Sequence, residues 1–130
     1  EWDAHGMVDT LSEFIYRGKI KLYCPESNVS QTWTNKEGDL GERLRQHQLY
    51  EHFITQELVP WIRQDCMSEN MRVAAMGCSL GGFYAANFSL KYPDIFKYAL
   101  CMSGRYDTTN FTNGVTTPEV YFNNPLAYVA

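Results

Sequence analysis

In the sequence AAMGCSLGGFYAA, residues 74–86, Ser79 follows Gly77 by two residues and precedes Gly81 by two residues. The apolar run before the serine, residues 71–77, is typical of a strand covered by helices on both faces of a parallel sheet. Small and apolar residues then surround most of a helix axis over residues 80–92, which predicts a buried helix that ends before Pro93. A strand, a glycine-flanked serine and a helix in this order predict a sharp turn that exposes the serine hydroxyl.

Helical and extended patterns alternate along the rest of the chain. The predicted order is helix, strand, helix, strand, helix, strand, which indicates an α/β fold with a parallel sheet and right-handed crossovers. Pro60 is expected to kink the longest helix or restart it near Glu57, because proline cannot donate a backbone hydrogen bond. The further predicted segments are a helix closed by Gly18, a strand over 19–24, a surface loop over 25–42, a helix over 43–64, a strand over 97–104 and a last helix opened by Pro125.

Composition sets the class of protein and excludes several partners. With 130 residues, 45% of them hydrophobic and 15% aromatic, the chain has the composition of one globular domain. Its net charge of −4 is spread without a long run of either sign, so we expect neither a nucleic acid nor an anionic membrane as partner. No apolar segment approaches the roughly 20 residues that span a bilayer, and no signal-peptide pattern is present, which predicts a cytoplasmic protein.

The four cysteines lie far apart in the chain and match neither a zinc-binding pattern nor a disulfide framework. We expect them to be buried, reduced thiols, which favours a reducing compartment. They are Cys24, Cys66, Cys78 and Cys101.

The predicted turn suggests a chemical role for the Ser79 hydroxyl. It would lift the hydroxyl above the carboxyl edge of the sheet and point the N–H of Leu80, at a helix N-terminus, toward the place where an oxyanion forms. These two groups suit acyl transfer, in which a serine attacks an ester or thioester carbonyl and water later releases the acid. Such a reaction requires no metal and no organic cofactor. The alternative is a glycine-rich turn in which the serine has no special role.

Segments spread over nearly the whole chain resemble one family. The chain is similar to the "putative esterase" group of α/β-hydrolases, which includes esterase D, S-formylglutathione hydrolases, feruloyl esterases and mycolyltransferases. The resemblance implies that Ser79 is the catalytic nucleophile, that the Leu80 amide is an oxyanion donor and that the substrate is a small-molecule ester. The segments that carry it are HGMVDTL, GKIKLYC, SQTWTNK, ELVPWIR, MGCSLGGFYAANFSLKYPDIFKYALCMSGRYD and YFNNPLAY.

The chain departs from this family in its histidines. In the fold the acid and the histidine base follow the nucleophile, whereas His5, His47 and His52 all precede Ser79. We expect His47 to pair with Glu51 one helical turn later and His52 to face the polar side of its helix. None of the three is therefore predicted to be the base.

The sequence also lacks a clear triad acid and one strand of the sheet that the family contains. Asp107 could be a displaced triad acid, but a turn-forming or capping role is preferred. The resemblance places a further strand between segments 19–24 and 71–76. We therefore expect residues 1–130 to be the nucleophile-bearing middle of an α/β-hydrolase domain about twice as long, incomplete at both ends. Alone, the chain is expected to show a gap in its sheet, a rearranged strand pairing or a homo-oligomer.

Three functions remain open from the sequence. The first is a serine carboxylesterase, the second an acyltransferase that passes the same acyl group to an alcohol, and the third a catalytically silent hydrolase-like module that binds a ligand or partner. Aromatic residues on the loops either contact a sugar or aromatic ester or, as we prefer, pin the loops to the body of the protein. These aromatic residues are Trp33, Tyr106, Phe111, Tyr121 and Phe122.

Overall fold

The computed structural model of the chain describes residues 5–129. Six α-helices, two β-strands, one π-helical segment and one 3-10 segment are present in this part of the chain. In chain order they are α1 Met7–Tyr16, α2 Leu40–His52, the π segment Phe53–Leu58, α3 Val59–Asp65, β1 Val73–Cys78, α4 Leu80–Lys91, β2 Phe96–Met102, the 3-10 segment Thr109–Phe111, α5 Pro118–Tyr121 and α6 Pro125–Tyr128.

The centre of the fold is a β1–α4–β2 unit. The two strands pair in parallel, with Ala74 opposite Tyr98 and Cys78 opposite Met102, and α4 packs on both strands. A parallel pair needs a crossover connection, which α4 supplies. The predicted strand, serine turn, buried helix and second strand are therefore confirmed, although the second strand begins at Phe96 and ends at Met102.

The predicted strand over 19–24 is wrong. Residues 20–28 have no regular secondary structure, because a strand needs a neighbour for its backbone N–H and C=O groups and the described sheet offers none beside β1. Lys21 Nζ and Tyr23 Oη instead donate to the Asp65 carboxylate at the end of α3, at 2.8 and 2.5 Å. The expected gap within the sheet is not seen among residues 5–129, because the described sheet consists of β1 and β2 side by side.

The longest predicted helix is divided into three pieces. Asp39 begins α2 by accepting a hydrogen bond from the Glu42 N–H at 2.9 Å. The π segment follows, and α3 then starts with Pro60 in its first turn. Because Pro60 has no N–H, the regular hydrogen-bond pattern cannot continue through it, and the predicted restart is confirmed.

The hydrophobic core is formed by residues of α2, the π segment, α3, α4, β2, α5 and the loop that precedes α2. Its buried members are Trp33, Leu44, Ile54, Val59, Phe83, Tyr84, Phe88, Phe96 and Val120. The prediction that helices cover both faces of the sheet is wrong for the described residues. Tyr98 and Leu100 lie on one face of β2 and are 54% and 48% exposed, because α4 covers one face and no described helix packs on the other.

The cysteine prediction is confirmed in one respect and wrong in another. All four thiols are free, but Cys24 and Cys78 are exposed and Cys66 and Cys101 are only partly buried. Cys24 lies in the unpaired segment, and Cys78 ends a strand with an open face. Among residues 5–129, no helix is both long enough and apolar enough to cross a membrane.

Candidate active site

Ser79 occupies a strained turn between β1 and α4. Its backbone angles are φ 55° and ψ −116°, a conformation that a residue with a Cβ atom rarely adopts. The turn is held on both sides, because the Ser79 N–H donates to the Met102 carbonyl at 2.9 Å and the Phe83 N–H donates to the Ser79 carbonyl at 3.1 Å. Ser79 itself is exposed. The sheet and the helix therefore hold the serine in the geometry expected of an accessible nucleophile.

The glycines around Ser79 have different roles. A Cβ at Gly77 would lie 2.1 Å from the Gly81 carbonyl carbon, so this position requires glycine. A Cβ at Gly82 would lie 3.0 Å from the Cα of Gly104, which shows how closely α4 approaches the end of β2. Gly81 differs, since a Cβ there would meet nothing within 4 Å. The close approach within the turn therefore requires glycine at position 77 and not at position 81.

Leu80 is the first residue of α4. The first four N–H groups of a helix have no acceptor within it, and the N-terminal end carries a partial positive charge. The first turn of α4 contains no acidic side chain that would neutralise this charge. The turn therefore offers an environment for a developing negative charge beside Ser79.

His47 is buried in the core, with 0% exposure, and both its ring nitrogens are occupied. Nδ1 accepts a hydrogen bond from Trp33 Nε1 at 3.2 Å, so the proton is on Nε2, which donates to Asn123 Oδ1 at 2.9 Å. Burial lowers the pKa of His47 to about 4, against a smaller opposing effect of the Glu51 charge. This neutral, fully bonded histidine cannot take a proton from Ser79.

His47 and Glu51 lie near each other, as predicted, but their side chains form no hydrogen bond. The two side chains lie 3.7 Å apart, and Glu51 accepts hydrogen bonds from Lys91 and Tyr92 instead. His52 is exposed, as predicted, with Glu57 at 3.8 Å. Among residues 5–129, the Ser79 hydroxyl has no side-chain hydrogen-bond partner, so the structure brings none of these histidines to it.

Asp107 has the predicted turn-forming role. Its Oδ1 accepts a hydrogen bond from the Thr109 N–H at 2.9 Å and so begins the 3-10 segment, and it also accepts one from Asn124 Nδ2 at 3.3 Å. The bonds from the Thr109 hydroxyl and amide lower the pKa of this carboxyl. Asp107 therefore acts as a local cap.

Trp33 pins its loop to the protein body. The indole is buried, its ring centre lies 5.2 Å from that of Phe83 in an edge-to-face arrangement, and Phe111 lies 6.4 Å away. A buried indole cannot stack on a substrate. Tyr121 and Phe122 are exposed and pack on each other at 5.2 Å.

A network of buried polar side chains was not foreseen from the sequence. Arg43, His47 and Glu51 share one face of α2, and Asn87 and Asn123 complete the contacts between α2, α4 and the segment after α5. The four-residue spacing of three polar residues beside core positions is the signal that could have revealed it. This network joins α4 to α2 and to the segment after α5.

Other possible sites are sparse in the described part of the chain. Among residues 5–129, no group of three or more His, Cys, Asp or Glu side chains could hold a metal ion. A groove of about 360 Å³ lies between α2 and the start of α5 and is lined by Leu40, Leu44, Gln48 and Thr117, but by no residue of the serine turn. Ser79 and its turn therefore remain the candidate site.

Comparisons with known proteins indicate the family of the chain. The sequence profile described as "Putative esterase" matches residues 21–124, which is well over half of the chain. The diacylglycerol acyltransferase/mycolyltransferase Ag85A of Mycobacterium leprae is 27% identical over 110 residues, which cover 84% of this chain and 32% of that protein. The chain therefore spans about a third of the length of this relative. No solved structure matches the chain significantly.

Proposed function

The chain belongs to the "Putative esterase" family, a family of ester hydrolysis and acyl transfer, and we propose that it carries the nucleophile of a serine carboxylesterase. The observation that supports this most is the conformation of Ser79, with φ 55° on a turn between a parallel strand and a buried helix. Strain of this kind persists only where the surrounding structure enforces it, and it is common at reactive residues.

In the proposed reaction, the Ser79 oxygen attacks the carbonyl carbon of a small-molecule ester or thioester. The hydroxyl proton passes to a general base, and the Leu80 N–H stabilises the oxyanion of the tetrahedral intermediate. Collapse of the intermediate breaks the ester bond, the base protonates the leaving alcohol or thiol, and an acyl-Ser79 remains. Water then attacks the acyl group with help from the same base, and the acid leaves.

The base, its acid partner and the second oxyanion donor are proposed to come from sequence outside these 130 residues. Two observations support this proposal. His47 has both ring nitrogens occupied in the core, and Asp107 is used as a cap. The four free thiols also support the cytoplasm as the proposed compartment, because reduced cysteines suit a reducing environment.

Acyl transfer is the second candidate, favoured by the similarity to a relative whose name includes acyltransferase and mycolyltransferase. The acyl-serine would be the same, and an alcohol would replace water as the acceptor. A catalytically silent binding module is the third candidate, because the Ser79 hydroxyl has no base within reach among residues 5–129.

A fluorophosphonate probe tests the nucleophile directly. The 130-residue chain and a form extended at both ends by its native flanking sequence are treated with the probe, and the adduct is located by mass spectrometry. We expect labelling of the extended form at Ser79, and its loss in Ser79→Ala. Ser103→Ala is the matched control, since Ser103 is also exposed and has a positive φ of 49° at the end of β2. No labelling in either form would favour the silent module.

Hydrolysis and transfer are separated by the products. An aryl ester is supplied with and without an alcohol acceptor, and free acid and transferred ester are quantified. A carboxylesterase should form the acid at the same rate in both cases, whereas an acyltransferase should form mainly the new ester. The chain alone should turn over far more slowly than the extended form, and equal rates would contradict a base from outside.

A further inference from the structure

Arg43 is a buried guanidinium bound only by carbonyl groups. It is 5% exposed and donates from Nε to the Thr32 carbonyl at 2.8 Å, and from Nη2 to the carbonyls of Trp33 at 3.2 Å and Phe111 at 2.8 Å. Within residues 5–129 it forms no ion pair with a carboxylate. A buried charge is costly unless it is paired, and burial lowers the pKa of this group. Burial of this charge is therefore unfavourable for folding, yet the fold keeps Arg43 at the point where two loops meet.

The loop residues that Arg43 holds are the ones whose rings lie behind the serine turn. The Trp33 ring contacts the rings of Phe83 and Phe111, and the Phe83 N–H donates to the Ser79 carbonyl. A series of direct contacts thus runs from the guanidinium through Trp33 and Phe83 to the nucleophile.

The second of these loops begins beside the nucleophile. It leaves β2 directly after Met102, which accepts the Ser79 N–H, and its Gly104 lies against Gly82 in the first turn of α4. Loops at the carboxyl ends of parallel strands border the ligand site in open α/β sheets. Arg43 holds the Phe111 carbonyl and so restrains the path of the loop that begins beside Ser79.

We propose that Arg43 is a positioning residue that locks the loops over 28–35 and 104–117 together and thereby determines which acyl groups reach Ser79. The inference rests on the proposed function of Ser79. A small acyl group needs only the serine turn, whereas a bulky one must also fit between the two loops. Loosening Arg43 should therefore affect bulky acyl groups more than small ones.

The test compares Arg43→Lys with Arg45→Lys on the same helix. Lysine keeps the charge but cannot donate to three carbonyls in the planar fork of arginine. Arg45 is exposed and pairs only with Glu42 on its own helix, so its variant controls for the loss of a guanidinium. Amide hydrogen exchange is measured by mass spectrometry in each variant, together with the rates at which a methyl-substituted and a bulky aryl-substituted fluorophosphonate label Ser79.

We expect Arg43→Lys to speed exchange of residues 28–35 and 104–117 by about tenfold or more, while the amides of α4 remain protected. Labelling by the bulky probe should slow by at least about tenfold, and labelling by the small probe should stay within about threefold, because the serine turn is intact. Arg45→Lys should match the unsubstituted protein in all three measurements.

Three results would overturn the proposal, and the first two separate it from the proposed function. If the unsubstituted protein labels at Ser79 but both probes slow equally in Arg43→Lys, Arg43 is a purely structural residue and the nucleophile stands. If the unsubstituted protein is never labelled, Ser79 is not the nucleophile. Loop exchange that still depends on Arg43 would then show that Arg43 holds the two loops together without any effect on a reaction at Ser79. Unchanged amide hydrogen exchange of residues 28–35 and 104–117 in Arg43→Lys would show that Arg43 does not hold the two loops together.

Discussion

At Gly77 the backbone of β1 passes so close to the start of α4 that an added Cβ would lie 2.1 Å from the Gly81 carbonyl carbon. Real Cβ atoms do not approach a carbonyl carbon this closely, and the atom they would strike is backbone that cannot rotate away. The serine turn thus depends on one glycine for its shape, whereas a Cβ added at Gly81 would meet nothing within 4 Å.

We expect Gly77→Ala to lower the free energy of unfolding by more than about 2 kcal/mol and to abolish labelling of Ser79, because the turn must open. Gly81→Ala is the matched control and should be neutral or stabilising by up to about 1 kcal/mol, since alanine is the better helix former. Urea unfolding followed by circular dichroism measures both. Equal losses in the two variants would contradict the role of the close approach.

The lowered pKa of buried His47 predicts that the free energy of unfolding depends on pH. Its pKa is lowered to about 4 by burial, against 6.5 when unfolded, so the unfolded chain takes up a proton that the folded chain refuses. The contribution of His47 is complete above pH 6.5 and is lost as the pH falls toward 4. The loss should be about 3 kcal/mol over that interval.

The measurement is urea unfolding at pH 7, 6, 5 and 4. The slope between pH 6.5 and 4 should be smaller in His47→Gln than in the unsubstituted chain, whatever the baseline stability of the variant. His52→Gln removes an exposed histidine and should keep the original slope. A slope that survives in His47→Gln would assign the pH dependence to other groups.

Several single residues were predictable from local sequence. Ser79, the capping role of Asp107 and the turn at Gly18 follow from spacing and turn chemistry, which act over a few residues. Arg43 and Asn123 were not foreseen, because their partners lie far away in sequence. Arg43 contacts Phe111 and Asn123 contacts His47, and only the packed chain brings these residues together.

Helix α4 is the element on which the site depends. One of its faces packs on β1 and β2, and another is buried against the loop before α2 through Phe83. Ser79 caps its N-terminus, so the burial that holds the helix also positions Ser79, the proposed nucleophile. Side chains on its solvent side contribute little to this arrangement.

We expect Phe83→Ala to cost about 3–5 kcal/mol of folding free energy, because the cavity lies in a core that cannot collapse around it. Leu90→Ala on the same helix, where the leucine is 47% exposed, should cost less than about 1 kcal/mol. Thermal unfolding followed by circular dichroism tests the pair. Similar losses at both positions would show that the helix is not anchored through Phe83.

The segment over 19–24 shows that a local sequence pattern cannot by itself determine whether a strand forms. Alternating apolar and polar residues permit a strand, but a strand is stable only when a neighbour satisfies its backbone groups. The described sheet contains β1 and β2 alone, and the segment is held by side-chain bonds to Asp65 instead. The long helix, by contrast, was foreseen together with its interruption, because Pro60 acts on its own backbone.

At the scale of the whole molecule, each of the two described strands has one unpaired edge, and one face of the sheet carries exposed apolar side chains. Unpaired edges and apolar faces promote association between chains. Tyr98 and Leu100 lie two residues apart on that face.

We expect the 130-residue chain to self-associate, with a molar mass by light scattering that rises with concentration. Leu100→Lys places a charge on the open sheet face and should shift the distribution toward the monomer. Leu90→Lys introduces the same charge at a position of nearly equal exposure on α4 and should leave association unchanged. A monomer at all concentrations would show that the open sheet does not drive assembly.

Local sequence patterns were enough to predict the β1–α4–β2 unit, the serine turn within it and the family of the chain, because strand, turn and helix signals act between neighbours in the chain. Long-range packing determines that residues 20–28 stay unpaired, that Trp33 is buried and that Arg43 joins two loops. Each of these depends on which distant groups are available to accept a hydrogen bond or to exclude water, and that is a property of the packed molecule.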